Sequence, residues 1–235
     1  MTKLSNKETI KHFLMIFFFF VAFAYIEAAV VVYLRAIFYE DGFNFPITNF
    51  DSDPLFGKFL LYEVFREAAT LVILFTGSFL IEKDSRRRMA VFLIIFAVWD
   101  IFYYVWLKVL LGWPASVFDW DIIFLIPLTW AGPVLAPLIS SFTMLVMAAI
   151  LLSKISIKVT PAKATAFVLT VIMIIATFCR AGLHIGQADY NDHFSWPIFI
   201  ICHVLLLTTL YSCKTKIQDH DFKVFRFAQE SRRSV

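Results

Sequence analysis

Residues 82–114 read EKDSRRRMAVFLIIFAVWDIFYYVWLKVLLGWP. The middle of this stretch, Met89–Leu111, is an almost unbroken apolar run. A helix needs about 20 such residues to cross the ~30 Å hydrocarbon core of a bilayer. Four basic residues, Lys83, Arg86, Arg87 and Arg88, precede the run. One carboxylate, Asp100, lies near its centre. The stretch therefore combines a membrane span, an orientation signal and a charge in an apolar solvent.

The rest of the chain follows the same pattern. Of 235 residues, 60% are hydrophobic and 17% are charged. Soluble domains run near a quarter charged, so a water-soluble globule is excluded. Disorder is excluded too, because it needs low hydrophobicity and high net charge. The length fits one compact domain. The net charge of +3 is too small to point to nucleic acid. Cys179, Cys202 and Cys213 form no CxxC or CxxH pair, so neither a disulfide framework nor a zinc knuckle is signalled. They read as small buried hydrophobes.

Six segments are long and apolar enough to span: Phe13–Phe38, Phe59–Ile81, Met89–Leu111, Ile122–Leu152, Ala164–Gly186 and Pro197–Cys213. None alternates with period two, which argues against a β-barrel. The connections divide by charge. Lys3, Lys7 and Lys11, the 82–88 turn, the Ser153–Lys163 loop and the tail from Lys214 are basic. The segments Tyr39–Lys58, Gly112–Asp121 and Gln187–Trp196 carry Glu40, Asp41, Asp51, Asp53, Asp119, Asp121, Asp189 and Asp192, with Lys58 their only Lys or Arg. Basic loops stay cytoplasmic. The expectation is an all-α, six-helix bundle of an inner (cell) membrane, residues 1–213, with both termini cytoplasmic. A basic cytoplasmic tail, 214–235, follows. The Lys-rich start and Ala22-Phe23-Ala24 imitate a signal peptide. The apolar run continues to Phe38, so it reads as an uncleaved first helix.

The fourth segment is too long for one crossing and contains Pro127, Pro133 and Pro137. Interior proline breaks or kinks a helix. Pro133 suits a first helical position. Ile122–Gly132 then reads as a separate short helix or a re-entrant piece, with a Pro-kinked continuous helix as the alternative.

Ionisable residues inside spans are costly and usually face the protein interior or a wet cavity. This chain has many: Glu27 and Arg35; Glu63, Arg66 and Glu67; Asp100 and Lys108; Arg180 and His184; His203. With a rise of about 1.5 Å per residue, all fall at the centre or on the outer side of their helices. Glu63, Arg66 and Glu67 share one stripe by their i, i+3, i+4 spacing. Asp100, Tyr103 and Tyr104 share another. These stripes are expected to converge on an outward-facing polar pocket. Four acids and four bases sum to zero, as a buried ion-pair network requires.

Three functions fit this pattern. The first is binding or transport of a small anionic, zwitterionic or amphipathic ligand. Glu27, Glu63, Arg66, Glu67, Asp100, Tyr104 and Arg180 would form the site, with Arg66 and Arg180 gripping the anion. The second is a membrane-embedded enzyme, metal-dependent if His184 and His203 are ligands. No HExxH or Glu-x-x-His spacing supports this, no cofactor is indicated, and NTP, dinucleotide and serine-hydrolase motifs are absent. The third is an accessory subunit of a larger membrane complex or oligomer, with the charges as structural salt bridges.

Overall fold

The computed structural model describes residues 6–39, 42–47, 54–153 and 155–215. Six α-helices dominate: α1 (Asn6–Phe38), α2 (Pro54–Ile81), α3 (Ser85–Leu111), α4 (Leu135–Leu152), α5 (Pro161–Gly182) and α6 (Trp196–Ser212). Each belongs to a stretch long and apolar enough to cross a membrane. All six keep large apolar side chains exposed, among them Phe18, Phe65, Val109, Phe142, Val168 and Ile201. In water such a surface would drive aggregation. In lipid it is the ordinary outer face, because helices satisfy their own backbone groups there. The chain is a multi-pass membrane protein.

Local chemistry sets the helix ends. Asp84 caps α3 by accepting from the Arg87 amide at 2.9 Å, and Gly112 ends it at φ 68°. That left-handed conformation suits glycine, which has no Cβ to clash. Thr160 and Pro161 open α5. Helices α2, α4 and α6 all finish at the end of the bundle where α3 and α5 begin. Their orphan carbonyls are met there by basic side chains. Arg86 donates to Leu151 O and Ser153 O at the end of α4. Arg88 donates to Glu82 O just beyond α2. Lys163 donates to Ser212 O at the end of α6. The basic residues at this end thus also complement the negative ends of three helix dipoles.

The central helix is α3, packed on α1, α2 and α4, while α5 pairs with α6. Trp106 on α3 donates to Val21 O on α1 at 3.0 Å. Close backbone packing joins α2 to α3, with little between α1 and α2. Side chains rather than close backbones join those two helices, with Phe38 edge-on to Phe59 at 5.3 Å and Phe20 packed with Leu74.

The segment 122–132 is not helical. Strands β1 (Trp120–Phe124) and β2 (Trp130–Pro133) form an antiparallel hairpin. Trp120 faces Pro133, Asp121 faces Gly132 and Phe124 faces Trp130, with a register irregularity between Ile122 and Phe124. Periodicity cannot separate a short apolar strand from a short helix. The β-branched and aromatic residues here suit a pleated, half-buried surface. Pairing with each other satisfies the inward-facing backbone groups of both strands. Pro133 closes β2, and α4 starts at Leu135. Helix α5 also stops sooner than its hydropathy implies, at Gly182 rather than Gly186, which leaves His184 in a turn.

A second, smaller pairing joins β3 (Ser156–Ile157) to β4 (Lys214–Thr215). The first two residues of the expected tail are therefore strand. The rest of the tail lies outside the described residues, as do Lys3, Glu40, Asp41, Asp51, Asp53 and Lys154.

Candidate functional site

The polar stripes of α1, α2 and α3 meet. Glu27 on α1 accepts from Arg66 on α2, and Arg66 also bonds Glu63 at 2.7–2.8 Å. Thr70 adds a hydrogen bond to the second oxygen of Glu27 at 3.1 Å. Glu67 accepts from the Leu125 amide of the hairpin segment at 2.8 Å. Asp100 accepts from Ser141 on α4 at 2.7 Å. Each contact crosses between elements except Arg66–Glu63, which follows from i, i+3 spacing on one helix.

Sequence reading misses one partner. Asp121, expected as a loop acid that merely marks orientation, is only 2% exposed and pairs with Arg35 at 2.9 Å. The Arg35 guanidinium is also sandwiched between Phe43 and Trp113, at 4.0 and 3.9 Å from the ring centroids. Stacking on aromatic faces is a use to which arginine's planar head is suited. The only hint in the sequence is a repeated Trp-Asp pair, Trp99-Asp100 and Trp120-Asp121, since both acids end in the same place. Tyr39 lies beside this cluster. Burial pushes its phenol above the ordinary value, and the Arg35 charge partly offsets this. Tyr39 therefore remains a neutral hydroxyl at physiological pH.

These groups line one cavity, with about 130 Å³ open to the centres of water-sized molecules. Its ionisable lining is Glu27, Arg35, Glu63, Arg66, Glu67, Asp100 and Asp121. Val31, Leu34, Phe38, Phe59 and Leu60 form an apolar wall contributed by α1 and α2. Tyr103, Tyr104, Trp99 and the hairpin complete it. Towards the Asp84 end, Phe20, Leu74, Ile95, Trp99 and Phe124 pack into a solid cluster. The cavity is thus plugged on that side. The Tyr104 hydroxyl meets the Asp121 carboxylate, while Trp99 Nε1, also buried in the lining, has no hydrogen-bond partner among the described residues. Such a group is costly unless something else satisfies it.

Of the residues picked from sequence, Glu27, Glu63, Arg66, Glu67, Asp100 and Tyr104 come together. Arg180 does not. It is exposed, outside the lining, and makes no ion pair among the described residues. Lys108 also turns away, donating to Gly112 O and Pro114 O beyond α3. The expected charge balance therefore fails. Among the described residues, five carboxylates and two guanidiniums line the cavity, a formal excess of three negative charges.

The two histidines proposed as metal ligands lie apart from each other and from the cavity. His184 Nδ1 contacts Arg180 O, and its ring stacks on His193 at 3.6 Å. His203 on α6 engages Ser140 on α4 through Nε2 at 3.0 Å and Phe199 O through Nδ1 at 2.8 Å. Among the described residues, no three His, Cys, Asp or Glu side chains are placed to hold a metal ion. The Ser140–His203 contact ties α4 to α6 instead. Interhelical hydrogen bonds in membranes average about 0.6 kcal/mol and reach about 1.7. Ser140→Ala is expected to lower stability by an amount in that range. Denaturant titration in mild detergent measures it, and a loss well above 2 kcal/mol would contradict the purely structural role.

Comparison of the chain with protein-family models, with curated proteins and with solved structures gives no match.

Proposed function

We propose that the protein binds a small zwitterionic or amphipathic ligand in the cavity between α1, α2, α3 and the hairpin. One observation carries this reading. A cavity rich in ionisable groups holds two carboxylates, Glu67 and Asp100, with no basic partner, and a buried Trp99 Nε1 with no hydrogen-bond partner, among the described residues. A bundle that needed only to cohere would fill that space with apolar side chains at lower cost. The basic side chains at the opposite end support a cavity that faces away from the cytoplasm of a cell membrane. The plug of Phe20, Leu74 and Ile95 favours holding a ligand over passing it through.

The structure changes which ligands suit the site. Arg180 lies elsewhere, and Arg66 and Arg35 are already held by Glu27, Glu63 and Asp121. Among the described residues, a purely anionic ligand therefore finds no free guanidinium in the cavity to grip it.

The test is chemical extraction. Protein purified in neutral detergent is extracted with solvent and the released small molecules are identified by mass spectrometry. Leu60→Trp, which places a large ring in the apolar wall, serves as the blocked control. The expected result is a molecule stoichiometric with wild-type protein and depleted about tenfold in the variant, a difference of about 1.4 kcal/mol in binding. Identical extracts from both proteins would refute the reading.

A structural network is the second reading, favoured by the fact that each of the five carboxylates has at least one protein partner. On that reading neither protein yields a specific molecule.

A further inference from the structure

The charge excess says more about the ligand, if the cavity is a binding site as proposed above. Both guanidiniums in the lining are committed. Arg66 lies between Glu27 and Glu63, and Arg35 is held by Asp121 and two aromatic rings. Glu67 and Asp100 have neutral partners only, the Leu125 amide and the Ser141 hydroxyl. Neither makes an ion pair among the described residues. The Tyr104 hydroxyl interacts with the Asp121 carboxylate, and both groups are buried with acceptor lone pairs to spare. Among these groups, acceptors for a positive head outnumber donors for a negative one.

The remaining wall is apolar and aromatic. Val31, Leu34, Phe38, Phe59 and Leu60 contribute it from α1 and α2. An unpaired carboxylate at low dielectric is costly. A ligand cation relieves that cost and supplies N–H donors, and charge-assisted bonds are the strong ones. Aromatic faces add cation–π attraction.

We infer that the cavity takes an ammonium head bearing a short apolar chain, with Glu67, Asp100, Asp121 and Tyr104 as its acceptors and the apolar wall from α1 and α2 holding the chain. The head is a primary or secondary amine, because those carry N–H groups to satisfy several acceptors at once.

Matched probes test this. Full-length protein in neutral maltoside micelles is titrated at pH 7 with n-hexylammonium, hexanoate and hexan-1-ol, and binding is read by calorimetry against empty micelles. The three share a chain and differ in the head. Hexylammonium is expected to bind at least about tenfold more tightly than hexanoate, with hexanol between them. Glu67→Gln and Asp100→Asn, which keep their acceptor oxygens for Leu125 and Ser141, should each weaken the amine about tenfold and leave hexanol nearly unchanged. If one variant does not fold, the other still decides. Hexanoate binding as tightly as the amine would overturn the ammonium inference and leave the binding reading intact. So would both variants binding the amine like wild type. Absence of specific binding by all three probes would remove the binding reading and this inference with it.

Discussion

Arg35→Ala is expected to lower stability by about 3–5 kcal/mol, the usual cost of leaving one partner of a buried ion pair alone. Asp121 is 2% exposed, and its Oδ1 depends on Arg35 at 2.9 Å. The same substitution empties the slot between Phe43 and Trp113. Those residues lie in two separate connections, so Arg35 ties the α1 end to both the 42–47 segment and the start of the hairpin region. Arg35→Lys should recover little. An ammonium is a compact point charge and cannot stack as a plane between two rings. Arg35→Met/Asp121→Asn should recover most of the loss, because it removes both charges and keeps the volume. Breaking one partner and replacing both are different experiments, and only the first strands a charge. Denaturation in mild detergent, with SDS as titrant, reads all four proteins. A stable Arg35→Ala protein, within 1 kcal/mol of wild type by this measure, would sink the argument.

Gly182→Ala is the second large effect. A Cβ at this position would lie 1.8 Å from Thr129 O and 2.6 Å from Thr129 C. Both are backbone atoms, so no side chain can swing aside. The hairpin must move off α5, breaking the Trp130–Phe178 stack at 5.8 Å. Overpacking of this kind costs about 1–3 kcal/mol, and rigid backbone on both sides places it at the upper limit. Helix propensity works the other way and favours Ala by up to about 1 kcal/mol. The tertiary clash wins by this comparison. Gly57→Ala is the control. It lies in α2 with nothing within 4 Å of the added carbon, so the same change should be neutral or mildly stabilising there. Gly182→Ala should also perturb Trp fluorescence while leaving helical circular dichroism intact, because only the hairpin is displaced. Equal stability of the two alanine variants would show that the close approach to Thr129 is not tight. Since the hairpin walls the cavity, the proposed ligand binding should fall with it.

The two variants mark where sequence reading succeeds and fails. The stripes on α1, α2 and α3 are legible because helical spacing fixes which side chains share a face. Glu63, Arg66 and Glu67 had to lie together once α2 was a helix. Arg180 was over-read because its depth is local information but its facing is not. Which way α5 turns depends on Phe178 and Gly182 seating against the hairpin, a contact between distant parts of the chain. Asp121 was under-read for the converse reason. A carboxylate in a connection looks solvated until the connection folds inwards.

The sequence by itself determined the solvent. Hydrophobic length against bilayer thickness is a property of contiguous residues, so six spans follow from counting. It also determined that charges would be buried, since Glu27, Glu67 and Asp100 sit within apolar runs with no loop nearby. Only the tertiary structure decided how those charges balance. Two expected bases, Arg180 and Lys108, turn outwards, and one unexpected acid, Asp121, comes in on a strand. Ion pairing depends on a few ångströms between groups far apart in the chain, which helix rotation and one hairpin set together and no local pattern encodes.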